Sequence, residues 1–415
     1  MKAYDQSQKL TRNWGIILAI VLVASTLRAP LTSVGPVVGP VVGPVIDEIK
    51  EVMDINNSVA GTLTTIPLLI FAAVSPFVSR IAGRLTMSRT VLIAILLLIV
   101  ALYVRVAGGF ALFISGTVIL GIAIAIGNVV LPSNVKWRFP MQVGLATGLY
   151  TATMNFTAGL GGGLSYPLSE TGLGFRLSLA CWGIFAIAAL ILWIPLASKG
   201  AKQERVTTSD HTEGTSQNAH VPVTKSKLAW LIALTMGFQS MIFYTVTAWV
   251  PSILMDRGVS ASTAGYLLMI NQFCQVPMTF FFPVIAGKLK DQRILIIIIT
   301  VLNLLGFGLF FTHSIVLLVI GMMIEGLALG ACFSLCMTFF SIRARTSEGS
   351  IALSGFGQSI GYLIAAVGPL FMGYLHDATQ SWTVGIITLL VMSVGVFIFG
   401  YPSAKNNVIE DDLAK

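Results

Sequence analysis

The sequence predicts an all-α membrane protein of twelve transmembrane helices in two pseudo-symmetric six-helix bundles. Three observations carry that prediction. Charge is scarce, apolar runs long enough to cross a bilayer recur along the chain, and matching stretches of the two halves stand at constant spacing. The chain has 415 residues, 55% hydrophobic and 10% charged, whereas soluble domains carry roughly 25% charged residues. Most of its surface must therefore face a solvent other than water.

The runs place spans near 14–34, 58–79, 90–106, 110–133, 142–166 and 176–197, then 227–250, 261–285, 293–312, 315–340, 350–374 and 381–401. Each supplies about the 20 residues a span requires. The third is short, and His313 separates the ninth from the tenth. Lys2, Lys9 and Arg12 precede the first run as they would in a signal peptide, but no small-x-small cleavage site follows, so a retained helix is expected. Between the sixth and seventh runs lies a polar stretch rich in Ser and Thr, without apolar period. Three units are thus expected: an N-terminal bundle over 1–197, a flexible linker over 198–226, and a C-terminal bundle with a short tail over 227–415.

Basic residues orient the spans. With the N-terminus in the cytoplasm, twenty Lys and Arg fall in inside segments. Outside segments hold only Lys50, Arg105, Arg176 and Arg257, and Arg28 lies within the membrane. The positive-inside rule then places both termini in the cytoplasm of a cell-membrane protein. The net charge of +8 sits in short gaps between apolar runs, which excludes a nucleic-acid-binding surface. Cys181, Cys274, Cys332 and Cys336 all lie inside apolar stretches without CxxC spacing, and read as small membrane residues. No His/Asp/Glu cluster points to a metal or a catalytic centre, and no cofactor is expected. The absence of a GxxxxGK[ST] loop argues against ATP-driven pumping.

The halves repeat each other. Gly61-Thr62-Leu63 and Ile81-Ala82-Gly83-Arg84 match Gly265-Tyr266-Leu267 and Ile285-Ala286-Gly287-Lys288 at an offset of 204. Lys136, Arg138, Gly148 and Gly161 match Arg343, Arg345, Gly355 and Gly368 at an offset of 207. Parallel six-helix repeats with a site between them near the midplane are a transporter pattern.

The stretch Ala82-Gly83-Arg84-Leu85-Thr86-Met87-Ser88-Arg89 resembles the loop signature of the major facilitator superfamily, without its usual Asp. The copy Gly287-Lys288-Leu289-Lys290-Asp291-Gln292-Arg293 keeps an acid. Leu27-Arg28-Ala29-Pro30-Leu31-Thr32-Ser33-Val34-Gly35-Pro36 in the first span and Trp249-Val250-Pro251 in the seventh are similar to the cyanate permease and 2-nitroimidazole transporter branch. The resemblance implies the major facilitator fold and alternating access. It also implies a cavity lined by the first, fourth, seventh and tenth spans. The repeat Gly35-Pro36-Val37-Val38-Gly39-Pro40-Val41-Val42-Gly43-Pro44 has no functional reading.

Arg28 leads the candidate site residues. It lies about 21 Å into its helix at 1.5 Å per residue, too deep to snorkel, and costs about 2.5–3.5 kcal/mol there on insertion scales. Its planar fork suits a carboxylate-like or small delocalised anion, or else locks two helices by pairing with a buried acid. Glu325, in the tenth span, differs in depth from Arg28 by about 6 Å on the helical rise. It reads as Arg28's partner, as a proton-coupling acid, or as a structural counter-ion. Thr32, Asn128, Asn155, Gln239, Tyr244, Trp249, Asn271, Gln275, Gln358 and Tyr362 complete the substrate-binding candidates. Interhelical hydrogen bonding is the alternative for each.

Gly159, Gly161, Gly162, Gly163, Gly355, Gly357 and Gly361 read as close-packing positions. Arg84, Lys136, Arg138, Arg343 and Arg345 form a candidate cytoplasmic gate, pairing with acids when that side closes, or simply obey the positive-inside rule. The expected function is secondary transport of a small anionic or planar polar solute. The partners are that solute, the bilayer and, through Glu325, protons, and the working unit is a monomer. Efflux of neutral or weakly basic heterocycles is the alternative, and a non-transporting sensor a distant one.

Overall fold

The computed structural model describes residues 14–32, 49, 52–53, 57–169, 174–210 and 222–413. The Gly-Pro-Val-Val repeat lies outside them. The helices are α1 (Trp14–Thr26), α2 (Ala29–Thr32), α3 (Asn57–Leu85), α4 (Met87–Val106), α5 (Phe110–Arg138), α6 (Val143–Ser169), α7 (Gly174–Ala180) and α8 (Gly183–Asp210). After a 3-10 turn at Val223–Lys225 come α9 (Lys227–Asp256), α10 (Ala261–Lys288), α11 (Arg293–Gly308), α12 (Ile315–Ile342), α13 (Ser347–Thr379), α14 (Trp382–Ser403) and α15 (Ile409–Leu413). Among the described residues, ten helical stretches are long and apolar enough to cross a membrane. α1 with α2, and the 27-residue α6, stand where the first and fifth of the twelve expected spans fall.

Exposed apolar side chains recur at helical spacing. Ile184, Ile187, Ile191 and Ile194 mark one face of α8, and Leu363, Val367, Leu370 and Tyr374 one face of α13. A soluble helix hides such a stripe; here it faces outward, as lipid contact requires.

Two expected spans are interrupted. The first breaks at Leu27–Arg28, because Pro30 has no N–H to return to Thr26 and its ring collides with that turn. The sixth breaks at Cys181–Trp182 before Gly183, where an added Cβ would meet the Tyr103 hydroxyl at 2.9 Å. The helix also outruns its apolar stretch. α8 continues through Asp210, inside the stretch expected to be a flexible linker. Ala201, Lys202, Gln203, Glu204 and Arg205 are good helix formers, and helix needs no apolar face once it leaves the bilayer.

The first six spans meet the last six through α3 with α13, α6 with α10, α5 with α13, α6 with α12, and α5 with α12. Advancing six spans turns the first of these contacts into the second and the third into the fourth, so packing repeats the duplication seen in sequence. The contacts gather toward the end that carries the basic loops. Ser133 Oγ donates to Ser350 Oγ at 2.9 Å, Ser341 Oγ to the Pro132 carbonyl at 3.0 Å, and Lys136 Nζ to the Ala344 carbonyl. Glycine brings α6 against α10: a Cβ on Gly144 would lie 2.2 Å from the Pro283 carbonyl, and one on Gly148 2.5 Å from that of Phe280.

Three further bonds across this junction share a cause. A proline inside a helix leaves the carbonyl four residues earlier without its N–H. Pro76 frees Ala72, which accepts from Ser359 Oγ at 2.6 Å. Pro132 frees Asn128, which accepts from Gln358 Nε2 at 3.1 Å. Pro283 frees Thr279, which accepts from Thr151 Oγ1 at 2.9 Å. Each donor belongs to the other half of the chain.

Thr151→Val removes a donor while keeping its volume, and should lower stability by about 1 kcal/mol, the scale of one interhelical bond. Adding Pro283→Ala restores an N–H to Thr279 and should recover part of the loss. Apparent melting temperatures of the purified proteins check this; a double variant no more stable than Thr151→Val refutes the account.

Candidate substrate site

Arg28 stands in the two-residue link between α1 and α2. Both sides of the link are held. Ser25 and Thr26 turn their hydroxyls back onto the carbonyls of Leu22 and Val23, each at 2.7 Å. Beyond it, Arg105 of α4 donates from Nη1 to the Pro30 carbonyl at 3.1 Å, with its guanidinium 5.0 Å from the Phe113 ring. Arg105, expected in an outside segment, is in fact buried at 2% exposure. Its guanidinium thus ties α4 to the backbone just past the break.

Four helices converge on the Arg28 side chain. Nη1 donates to Asn155 Oδ1 on α6. The guanidinium lies 4.0 Å from the Phe333 ring centre on α12 and 5.1 Å from that of Phe243 on α9, a cation–π arrangement on both. The phenols of Tyr244 and Tyr362 are its electrostatic neighbours. Tyr362 on α13 also lies beside the Asn128 side chain on α5 and packs on Phe71 of α3 at 4.9 Å. Gln358 lies one turn from Tyr362 and bonds the Asn128 carbonyl and Ser354 Oγ. Gln239 is one turn from Phe243 on the same face of α9, accepting from Ser240 Oγ at 3.2 Å.

The chemistry of this cluster is directional. Asn155 is fully buried and turns its only acceptor atom to Arg28, and its Nδ2 has no partner among the described residues. With its oxygen committed, the amide can offer only N–H donors beside a positive charge. Aromatic rings and phenols surround that pair.

Other candidates lie elsewhere. Asn271 donates to the Met322 carbonyl at 2.9 Å, and Gln275 Nε2 donates to Asn271 Oδ1 and Gln272 Oε1, so both tie α10 to α12 or to itself. Trp249 donates to the Pro369 carbonyl at 2.8 Å and packs on Trp382, near the end opposite the basic loops. The Thr32 side chain lies outside the described residues. Glu325 does not contact Arg28: it is fully buried and neither carboxylate oxygen has a hydrogen-bond partner among the described residues. It faces α11, where a Cβ on Gly306 would lie 3.1 Å from its Oε2. Depth along a helix was readable from the sequence, but the direction the side chain points was not.

The basic candidates divide as well. Arg138 donates to Asn134 Oδ1 and Ser88 Oγ. Arg343 donates to the carbonyls of Ser403 and Ala404 and to Gln292 Oε1. Ser88 and Gln292 are themselves 204 residues apart, so each half ties its fourth-span arginine to the start of its third span. Arg345 pairs with Asp411 of the tail. Arg84 is exposed. Of the five, Lys136 makes a described hydrogen bond between halves, and its acceptor is a carbonyl rather than an acid. The sequence reading missed Phe71, Phe243 and Phe333, because aromatic residues in apolar spans carry no pattern of their own.

Apolar spans, duplicated packing and a half-buried guanidinium ringed by side chains of both halves define a polytopic membrane transporter. The Major Facilitator Superfamily model matches residues 39–366, and the chain belongs to that family. It is 36% identical to the uncharacterized transporter YycB of Bacillus subtilis (strain 168), over 98% of this chain and 97% of that one. It is 33% identical to the 2-nitroimidazole transporter of Escherichia coli (strain K12), over 95% and 96%. It is 27% identical to the cyanate transport protein CynX of the same organism, over 92% and 95%. The solved proton:xylose symporter XylE, bound to 6-bromo-6-deoxy-D-glucose, shares the fold at a TM-score of 0.74 and 14% identity, covering 96% of this chain and 98% of that one.

Proposed function

We propose that this protein is a secondary active transporter of a small anionic or planar polar solute, bound at Arg28 and Asn155 and moved by alternating access. The observation that carries the reading is the pairing of the Arg28 guanidinium with an amide that has only donors left to offer. Phe243, Phe333, Tyr244 and Tyr362 add flat surfaces suited to a planar ligand. Relatives named for cyanate, a small linear anion, and 2-nitroimidazole, a small planar ring, support the small size of the solute. The second reading, efflux of neutral or weakly basic heterocycles, is favoured by the higher identity to the nitroimidazole transporter.

The moving units are the two six-helix bundles, 1–197 and 227–415, acting within one monomer. The basic loops and both termini face the cytoplasm, and the junction described above closes the cavity on that side. Glu325 is the coupling acid. It is a buried carboxyl whose charge no described donor compensates, set in the seam between α11 and α12 where a shift of either helix changes its surroundings.

The decisive measurement is thermal stabilisation by a panel of cyanate, nitrite, benzoate, imidazole and 2-nitroimidazole, since ligand binding raises stability by mass action. Anions should stabilise the protein. Arg28→Lys should bind them at least tenfold more weakly, about 1.4 kcal/mol. Asn155→Asp should keep its bond to Arg28, and the melting temperature with it, yet lose anion binding. Stabilisation by the neutral heterocycles alone, unchanged in Asn155→Asp, would establish the second reading. Coupling is checked in proteoliposomes: Glu325→Gln should abolish accumulation driven by a proton gradient and leave solute exchange intact, whereas loss of both makes Glu325 structural. Sidedness is checked with an impermeant thiol reagent on cells. A cysteine at Asp377 should react from outside, and one at Lys405 only after permeabilisation.

A further inference from the structure

The link that carries Arg28 is held from two sides, and the two holds differ in kind. On the near side Leu27 fills a notch in α5, where a Cβ on Gly127 would lie 2.6 Å from Leu27 Cδ2. The Leu27 N–H returns to the Ala24 carbonyl at 3.2 Å, so the turn before Arg28 is already tightened. On the far side the hold is a hydrogen bond, from Arg105 Nη1 to the Pro30 carbonyl at 3.1 Å. Packing fixes where the link sits. A directional bond fixes how α2 is turned, and with it the side chain just before α2.

Arginine is a costly way to hold one carbonyl. Arg105 is 2% exposed, it takes part in none of the ion pairs among the described residues, and its Nε–H is buried without a hydrogen-bond partner. An unspent buried donor destabilises the fold. What the arginine gains is orientation. Its stem lies on α5 where Gly116 has no side chain, since a Cβ there would fall 2.5 Å from Arg105 Cγ. Its guanidinium lies 5.0 Å from the Phe113 ring, and Phe113 is itself clamped in a small separate apolar cluster with Ile49, Phe175 and Leu179. Stem and plane are both fixed, so the bond to Pro30 leaves in a set direction.

We propose that Arg105 is a positioning residue for Arg28: it sets the edge that the Arg28 guanidinium presents, and so the preference of the site between anions of different shape. The proposal rests on the anion reading of the Arg28 site above. Arg28 Nη1 is engaged by Asn155 Oδ1, so the tilt of the guanidinium plane about that bond decides which edge meets the solute. Nitrite and carboxylates present two oxygens and accept along one edge, in the plane. Cyanate is linear, offers one atom at a time and tolerates a tilt. Loss of the hold on Pro30 therefore penalises nitrite and benzoate more than cyanate.

The test measures Kd for nitrite, benzoate and cyanate on the purified full chain, from thermal stabilisation against ligand concentration. Arg105→Met should weaken nitrite and benzoate about tenfold, the step for one lost charge-assisted bond, and cyanate by less than about threefold. Arg105→Gln, whose amide ends two bonds short of the carbonyl, should give the same shift and serves where Arg105→Met fails to fold. Pro30→Ala returns an N–H to the Thr26 carbonyl and removes the break on which Arg105 acts. It should shift the nitrite-to-cyanate ratio by itself, and Arg105→Gln added to it should change the ratio no further, because both act at one point. A lower melting temperature with an unchanged ratio makes Arg105 merely structural and overturns the proposal. A ratio that shifts by the same factor with and without Pro30 also overturns it, since that marks a charge felt through space. No stabilisation of the unsubstituted protein by any of the three anions would instead remove the anion reading on which the proposal stands.

Discussion

Inside a bilayer no water relieves an unpaired backbone carbonyl, so each one must find a donor within the protein. This fold uses that rule to join its halves. Pro76, Pro132 and Pro283 each strip one carbonyl of its helical partner, and a hydroxyl or amide from the opposite half takes the place of the missing N–H. Such bonds differ from bonds between two side chains. Their acceptor is fixed in the helix, and when the helices part water can serve the same carbonyl. The junction is therefore specific in register yet separable, as the proposed alternating access requires. Glycines at 144, 148 and 355 permit the close approach, and the prolines supply the bonds.

The Arg28 cluster uses the same chemistry with the opposite outcome. Pro30 breaks the first span, Arg28 stands in the gap, and Arg105 holds the backbone just beyond it through the Pro30 carbonyl. A continuous helix would hold residue 28 on a helical face among apolar neighbours. The break instead leaves it in an open turn, where it meets Asn155, Phe243 and Phe333 from three different helices. The electrostatic cost of a charge at this depth is met by an amide oxygen and aromatic faces.

How much of this was legible depends on what each inference needed. Span positions and duplication needed only run length and spacing, and α3 to α5 and α9 to α14 lie where those placed them. Arg28 stood out because a charge in an apolar run has no neutral explanation, and Asn155, Asn128, Tyr244 and Tyr362 do gather around it. Glu325 matched Arg28 in height but points at Gly306, since azimuth depends on packing that one helix's sequence does not contain. Helix past the apolar edge of α8 was missed because polarity was read as flexibility. The proline-freed carbonyls were within reach: prolines at 76, 132 and 283 announce their acceptors four residues upstream, though not the donors that find them.

Arg105 gives the site a remote control. Its guanidinium grips the Pro30 carbonyl just past the break, and its backbone rests against α5 at Gly116, where a Cβ would lie 2.7 Å from the Arg105 nitrogen. Any lateral slide of α4 along α5 is thus passed, through one hydrogen bond, to the turn that presents Arg28. The far end of the third span is in this way mechanically coupled to the Arg28 cluster, some distance from Asn155, Phe243 and Phe333.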